Sequence, residues 1–353
     1  MSLKKLRNVI DGIDKKIINL LNSRAQVSSD IAKVKLGSGK SVYSPDRERE
    51  VLKKIAMSGK GLLGPKALEA IYREIMSASL SLGKPLKIAY LGPEASFSNL
   101  AVIKRFGSQV SSLACDSIGD VFLEVEKGNA DYGVVPIENS IEGAISYTLD
   151  MFIDSDLKIC SQVILDISHN LLANCPKNKI KKVYSNPSVL GQCRLWLEKN
   201  LNTAEKIEVS STTRAAQIVS KTEDSACIAS SLAAKIYKLK VVASGIEDSP
   251  HNVTRFLVIG NSAAPATGDD RTSIMFSIKD KVGALHDMLL PFKKYRINLT
   301  KIESRPSKKK AWDYYFYVDL KGHMDSPLVK KALGELEEKC KFLKILGSYP
   351  VGE

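Results

Sequence analysis

The sequence predicts a multidomain protein: an all-α three-helix unit over residues 1–84, an α/β unit over 85–262 and a ferredoxin-like βαββαβ unit over 271–353. Three observations carry this. Up to about Leu82 the apolar residues recur at three- and four-residue spacing, the helical period. From Pro85 they fall into short β-rich runs separated by helical stretches, the alternation of an α/β fold. Residues 261–270, NSAAPATGDD, are small, polar and Pro/Gly-bearing, as linkers are. At roughly 150 residues per domain, 353 residues suffice for two or three cores.

The first helix carries Leu3, Leu6, Ile10, Ile13, Ile17, Leu20, Arg24, Val27, Ile31 and Val34 on one seam. Arg24 stands where a core leucine is expected, and a guanidinium there is costly unless an anion meets it. Lys35, eleven residues on, projects within about 20° of Arg24, so two cations share a stripe. Gly37, Ser38 and Gly39 break this helix. Ser44 as N-cap, Pro45 at the first position and Asp46 in the first turn start a second, which ends at Gly59, Gly61 and Gly64. A third runs from Pro65 to Leu82 with Leu68, Ile71, Ile75, Met76 and Ser79 inward. The seam is too long to be buried within so small a unit, so the unit is expected to dimerise.

In the α/β unit, LKIAYLG, ADYGVVPIE, LKICSQVILDI, HNLLANC, KKVYS, KIEVSS, SACIAS, KVVASGI and TRFLVIG predict strands. Helices are expected at about 98–106, 117–127, 187–200, 212–221 and 230–237. GPEASFS (92–98) puts Ser96 and Ser98 at a strand-to-helix turn whose N–H groups suit an anion. VVPIENS sets Glu138, Asn139 and Ser140 just after a strand, YSNPSVLGQC sets Ser185 and Gln192 around another turn, and HNVTRF brings Asn252, Thr254 and Arg255. Four strand ends thus gather uncharged donors with one arginine. That composition suits a carboxylate-binding cleft rather than a nucleophile–base triad, since no Ser or Cys has an evident His and acid partner. The last unit reads strand (RTSIMFSIK), helix (GALHDMLLPFKKY), two strands (INLTKIESRP, WDYYFYVDLKG), helix (SPLVKKALGELEEKC), strand (FLKILGSYP).

A composition of 44% hydrophobic and 26% charged residues excludes a largely disordered chain. The net charge of +13 is modular, about +9 over residues 1–85, −1 over 86–262 and +5 over 263–353. The cations are not in blocks and lack the interleaved aromatics that stack bases; small anions satisfy the same charge, so no nucleic-acid partner is expected. No apolar run approaches the roughly 18 residues of a membrane span, and the N-terminus has no signal core, which predicts no membrane partner and a cytoplasmic location. Six cysteines and four histidines are dispersed without metal-ligand spacing; no metal and no cofactor are expected.

GPEASFS, VVPIENS, NPSVLGQC, NVTRF and ESRP, in that order along nearly the whole chain, resemble the bifunctional chorismate mutase/prephenate dehydratase family of phenylalanine biosynthesis. The resemblance implies a helical mutase, a two-lobed dehydratase with a type 2 periplasmic-binding-protein fold and an ACT-type regulatory unit, with chorismate and prephenate as substrates. For the mutase it implies that Arg24 grips one carboxylate, Arg7 from the dimer partner another, and Lys35 donates to the ether oxygen, with Arg47, Glu48 and Ser79 completing the contacts. Where relatives carry Gln or Glu one turn after Ser79, this chain has Gly83, which implies an impaired mutase unless Lys84 or a water substitutes. Ser44, where some relatives have Asp, remains a good N-cap.

For the dehydratase it implies Thr254 as donor at the departing hydroxyl, with Glu138, Asn139, Ser185 and Gln192 around it and Arg255 beside it. Ala95, Ser96, Asn186 and Ser188 replace Gly, Thr, His and Gln of relatives, and the hydroxyl at 96 is kept. His251 reads as a hydrogen-bonded structural histidine in preference to a proton shuttle. In the last unit Gly283, Ala284 and Leu285, with Glu303, Ser304, Arg305 and Pro306, are implied to bind L-phenylalanine as allosteric inhibitor at a homodimer interface. A competing reading, a phenylalanine-sensing binding protein with degenerate catalytic units, rests on Gly83; Thr254, Asn139 and Gln192 oppose it.

Overall fold

The computed structural model describes residues 2–38, 43–59, 61–82, 86–278, 281–307 and 314–351. Internal contacts divide the chain into two compact units, residues 1–87 with 106–111, and residues 88–105 with 112–353.

The first unit is helical: α1 (Leu3–Gly37), α2 (Pro45–Ser58) and α3 (Pro65–Ser81). At 1.5 Å per residue α1 is about 52 Å long. Its seam stays open, with Ile10 56%, Val27 60% and Val34 73% exposed. Ile71, expected inward, is also exposed, and Ser77 is the fully buried side chain of α3. Ser77 Oγ accepts from Gln109 N at 3.1 Å, and Ser108 Oγ donates to Glu74 at 2.7 Å. Gly107 permits this approach: its φ is +76°, and a Cβ there would lie 2.4 Å from Ser77 Cβ. Segment 106–111, expected within the α/β unit, therefore packs on α3.

The second unit begins with a lobe built of β1 (Lys87–Leu91), α4 (Phe97–Phe106), β2 (Ser111–Cys115), α5 (Ile118–Glu126), β3 (Tyr132–Asn139), β4 (Gly143–Ala144), α6 (Ser146–Asp154) and β5 (Lys158–Asp166). The chain then crosses to a second lobe of β6 (Asn170–Ala173), β7 (Lys182–Ser185), α7 (Pro187–Gln192), α8 (Arg194–Asn200), β8 (Glu205–Glu208), α9 (Thr212–Val219), β9 (Ser225–Ala229), α10 (Ser231–Ile236) and β10 (Lys240–Ala243). It returns to the first lobe as β11 (Val253–Gly260).

The sheets run β2-β1-β3-β11-β5, with β4 beside β3, and β10-β6-β9-β7-β8. In each, the strand arriving from the other lobe, β11 or β6, is antiparallel to both neighbours, whereas β1–β3 and β7–β9 are parallel. One topology is used twice, as the two-lobed expectation requires. The crossings are tied together by Ile167 N to Asn252 O at 2.8 Å and Ile246 N to His169 O at 3.0 Å. The helix expected at 187–200 is interrupted at Cys193, whose φ of −114° and ψ of 15° are not helical. β2, β4 and α6 were not predicted; β2 (SSLAC) is mostly exposed and β4 has two residues, so neither carries a legible apolar pattern.

The remainder is βαββαβ: β12 (Asp270–Ser277), α11 (Ala284–Lys294), β13 (Leu299–Pro306), β14 (Tyr314–Lys321), α12 (Pro327–Lys339) and β15 (Phe342–Pro350), in the antiparallel order β13-β14-β12-β15. One sheet face meets the helices through Phe276, Met288, Phe292 and Leu336. The other shares a core with the first lobe, Met275, Tyr317 and Leu346 packing with Ile137, Leu149 and Phe152. β15 comes so near β5 that a Cβ on Gly347 would lie 2.3 Å from the Ile159 carbonyl oxygen. Stretch 261–270 is accordingly fastened rather than free: Ala264 is buried, with its carbonyl 3.0 Å from His323 Nε2.

Candidate active sites

The helical unit holds a cavity of about 540 Å³ lined by residues of all three helices, among them Arg24, Lys35, Ser44, Arg47, Glu48 and Ser79. Arg24 Nη1 donates to Ser79 Oγ at 2.7 Å and Lys35 Nζ to Ser44 Oγ at 2.6 Å. A hydroxyl fixes the geometry of the Arg24 guanidinium without neutralising it. Ser44 holds the N-cap position of α2, but its hydroxyl makes no cap bond: it serves Lys35 instead, a correction to its expected role.

Arg47 lies at the rim, paired with Glu50 at 2.5 Å. Lys54 and then Arg47 draw the exposed Glu50 carboxyl down to about 2. Arg7 lies outside the cavity lining, roughly 25 Å before Arg24 along α1. Gly83 and Lys84 lie outside the described residues.

In the two-lobed unit the strand ends and hinge converge on a chain of amides and hydroxyls that ends on one carboxylate, Glu142. Asn139 Oδ1 accepts from the backbone of Ile141 at 2.9 Å and Glu142 at 3.1 Å, which orients its amide. Asn139 Nδ2 then donates to Thr254 Oγ1 at 2.8 Å and Asn252 Oδ1 at 2.7 Å. Asn252 Nδ2 donates to Gln192 Oε1 at 2.9 Å, and His169 Nε2 lies 2.9 Å from the same oxygen. Gln192 Nε2 donates to Glu142 Oε1 at 3.0 Å, and Ser188 bonds the same carboxylate.

Because Gln192 Oε1 only accepts, His169 carries its proton on Nε2 in this assignment. Burial pushes the His169 pKa below its ordinary value, against the hydrogen bond to Gln192 and the charges of Glu247 and Glu142, which favours the neutral ring. His169, Glu142 and Ser188 were not anticipated as members of this cluster. No spacing announces His169, whereas Glu142 stands three residues beyond Asn139 in a motif read only as far as Ser140.

Several expected contacts lie elsewhere. Thr254 pairs with Asn139 and Arg255 with Glu138 across β3 and β11. Successive strand residues face opposite ways, so Glu138 and Arg255 point away from the Thr254 cluster, and their expected places around and beside Thr254 are corrected. Arg255 is buried between Glu138 at 2.8 Å and Asp319 at 2.7 Å, and Lys301 takes the second Glu138 oxygen. Burial raises the Glu138 pKa, but Lys301 and Arg255 outweigh it and hold the carboxyl below the usual range.

Ser185 is engaged by the Ile228 carbonyl at 2.9 Å. Ser140 bridges His251 O at 2.7 Å and Val253 N at 2.9 Å. Ser96 accepts from Asn99 N at 3.3 Å and donates to Leu91 O at 3.2 Å, helping to start α4, and Ser98 is buried. Asn186 caps α7 through Ser188 N at 3.1 Å. His251 is exposed, and its carbonyl rather than its ring holds Ser140; the buried histidine of this region is His169.

In the βαββαβ unit Gly283 turns the chain into α11 with φ 74°, Ala284 is buried, and Leu285 packs on the core. β13 alternates, with Lys301, Glu303 and Arg305 partly buried and Ser304 and Pro306 exposed. Arg305 pairs with Asp150 of α6 at 3.3 Å, so the ESRP segment is divided between two faces.

A helical unit with a cationic cavity, a two-lobed unit with a cluster of amides and hydroxyls, and a βαββαβ unit sharing the latter's core make a multidomain chain with two candidate sites. Family models match in the same order: chorismate mutase type II over residues 6–84, prephenate dehydratase over 88–264 and the ACT domain over 272–338. The bifunctional chorismate mutase/prephenate dehydratase of Aquifex aeolicus is 50% identical over 353 residues, covering 99% of this chain and 98% of that one. The Pseudomonas aeruginosa protein of the same name is 45% identical, covering 99% and 97%.

Among solved structures, prephenate dehydratase from Arthrobacter aurescens in complex with L-Phe is 30% identical with a TM-score of 0.70, covering 75% of this chain and 90% of that one. The Staphylococcus aureus prephenate dehydratase is 31% identical with a TM-score of 0.66, covering 75% and 100%. The chain belongs to the bifunctional chorismate mutase/prephenate dehydratase family.

Proposed function

We propose that the helical unit rearranges chorismate to prephenate, that the two-lobed unit converts prephenate to phenylpyruvate with loss of water and CO2, and that L-phenylalanine bound to the βαββαβ unit inhibits dehydration. The rearrangement needs no covalent catalysis, only two carboxylates held in a compact conformer and charge met as it develops on the ether oxygen. The Arg24–Lys35 stripe in one cavity supports this. The open α1 seam and the remoteness of Arg7 support a homodimer or larger homo-oligomer in which a second copy supplies Arg7. Gly83, with no side chain to donate, supports a mutase slower than those of relatives carrying Gln or Glu.

One observation carries the dehydration. Thr254 Oγ1 accepts from Asn139, so its own hydrogen is left to donate to the departing hydroxyl. Loss of that hydroxyl with the ring carboxylate as CO2 leaves an aromatic ring, which supplies the driving force. Asn252–Gln192 and Glu142–Ser188 bond across the lobes, so a diacid enters by exchanging these bonds for its own. Asn139, Asn252 and Gln192 then offer the amides that hold it.

Inhibition is supported by the ACT-domain match and by the L-Phe complex of the Arthrobacter protein, with Gly283, Ala284, Leu285 and the 303–306 segment as the binding region. Six free cysteines fit a reducing cytoplasm. The test supplies chorismate and prephenate separately to the full chain and reads phenylpyruvate with and without L-phenylalanine. Product from both substrates, slower from chorismate and suppressed by L-phenylalanine, is expected; none from prephenate overturns the reading.

A further inference from the structure

β3 and β11 carry two residue pairs at the end that meets the cleft, one on each face. Asn139 and Thr254 share the cleft face, while Glu138 and Arg255 share the reverse. The reverse face is held by the C-terminal unit. Arg255 donates to Asp319 of β14 at 2.7 Å and to Tyr349 of β15 at 2.8 Å, and its Nε donates to Gln162 of β5 at 2.9 Å. Ser273 of β12 bonds Asp319 at 2.5 Å. These contacts fix Arg255 on every side. Glu138 is less enclosed, 32% exposed, and is held by two bonds only among the described residues: one from Arg255 and one from Lys301 of β13. Farther along β13, on the face of Lys301, Arg305 reaches Asp150, and Tyr317 of the neighbouring β14 donates to the Leu149 carbonyl at 2.8 Å.

We propose that Lys301, a residue of the C-terminal unit, is a positioning residue for dehydration: by drawing Glu138 against Arg255 it fixes the ends of β3 and β11, and with them the Asn139–Thr254 pair on the opposite face. The proposal rests on the dehydratase reading and deepens it. A partly exposed carboxylate relieved of its ammonium partner gains a solvated alternative, and Glu138 precedes by one residue the asparagine that aims the Thr254 hydroxyl. Lys301 also lies two residues before the segment assigned to L-phenylalanine. An arrangement of β13 favoured by the inhibitor that withdraws Lys301 would therefore release Glu138, 163 residues away in sequence, and slow the reaction. The C-terminal unit is in this view part of the dehydratase and not only its regulator.

The experiment compares full-length wild type, Lys301→Met and Lys301→Arg. It reads kcat and KM for prephenate, conversion of chorismate to prephenate as a control for folding, and hydrogen exchange at the Ile141 and Glu142 amides, which Asn139 Oδ1 holds. Lys301→Met is expected to lower kcat about 10-fold or more with KM changed by less than about 2-fold, to leave the mutase step intact and to speed exchange at both amides. Lys301→Arg, which keeps the charge, is expected to recover kcat to within about 3-fold of wild type.

Unchanged kcat and exchange in Lys301→Met, or a loss that Lys301→Arg does not recover, overturns the proposal. Should Lys301→Met fail to fold, Lys301→Gln is read by the same criteria. A wild type that makes no phenylpyruvate from prephenate refutes the dehydratase reading, while exchange at Ile141 and Glu142 still decides whether Lys301 holds the strand ends.

Discussion

In the proposed reading the helical site and the two-lobed site bind a small dianion in opposite ways. The first sets cations, Arg24 and Lys35, on hydroxyl partners in a cavity whose longest helix leaves its apolar seam open. The second uses amides and hydroxyls, each orienting the next from Asn139 through Asn252 to Gln192, and relegates its cations to the reverse face of the strands. Charge suits a rearrangement in which negative charge must be met on an ether oxygen. Neutral donors suit a dehydration in which one hydrogen bond must be aimed at a leaving group, since the ring carboxylate leaves as neutral CO2 and its electron pair passes through the ring to the departing hydroxyl. The contrast also separates what each site requires of the rest of the molecule. In the proposed reading the cavity behind an open seam takes Arg7 from a second copy, whereas the aligned strands take a clamp from the C-terminal unit.

The sharpest way to break the contrast is to remove one group from each side. Arg24→Ala is expected to lower chorismate consumption by roughly 10²–10³-fold while leaving prephenate turnover within about 2-fold of wild type; equal losses in both assays would mean the sites are not separate. Thr254→Val is expected to lower prephenate turnover by roughly 10²-fold with the mutase step unchanged, and full turnover would remove Thr254 from the mechanism.

Ile17→Asp places a charge on the seam and is expected to weaken self-association by about 2 kcal/mol or more, seen as a lighter species in sedimentation. An unchanged sedimentation profile would show that the seam is not an interface. Gly107→Ala forces a Cβ into Ser77 at a left-handed φ and is expected to destabilise the helical unit by about 1–3 kcal/mol, read in thermal melts; an unaltered midpoint would mean that segment 106–111 is not fastened to α3.

The smallest expected effect is a pH dependence. His169 is buried with its pKa below the ordinary 6.5, so the unfolded chain takes up a proton before the folded one does. Its contribution to stability is complete above pH 6.5 and is lost as pH falls through the folded value. Melts of the wild type should lose stability below pH 6.5, and His169→Phe should flatten that part of the curve; an identical slope in the variant would show that another group is responsible.

Much of this was legible in the sequence for identifiable reasons. The seam of α1 shows because an amphipathic helix repeats its pattern over many turns, and Arg24 is conspicuous as the exception to that pattern. The strands show because each is a short apolar run, and their polar ends show because turn residues follow them. Glu138 and Arg255 were misplaced although the rule that separates them from Asn139 and Thr254 is elementary: adjacent residues of a strand face opposite ways. A motif read as a string hides that alternation. His169 could not be found, since its partner Gln192 is 23 residues away and joins it only when the crossing between lobes folds back. The attachment of segment 106–111 to α3 depends on one glycine whose role emerges only in contact with Ser77.

The central claim is that one chain makes prephenate at one site and consumes it at another. It is tested most directly by following chorismate, prephenate and phenylpyruvate together, at neutral pH, in a single progress curve of the Thr254→Val chain. The account predicts that chorismate disappears and prephenate accumulates with little phenylpyruvate. Chorismate left intact, or phenylpyruvate formed at the wild-type rate, would contradict it.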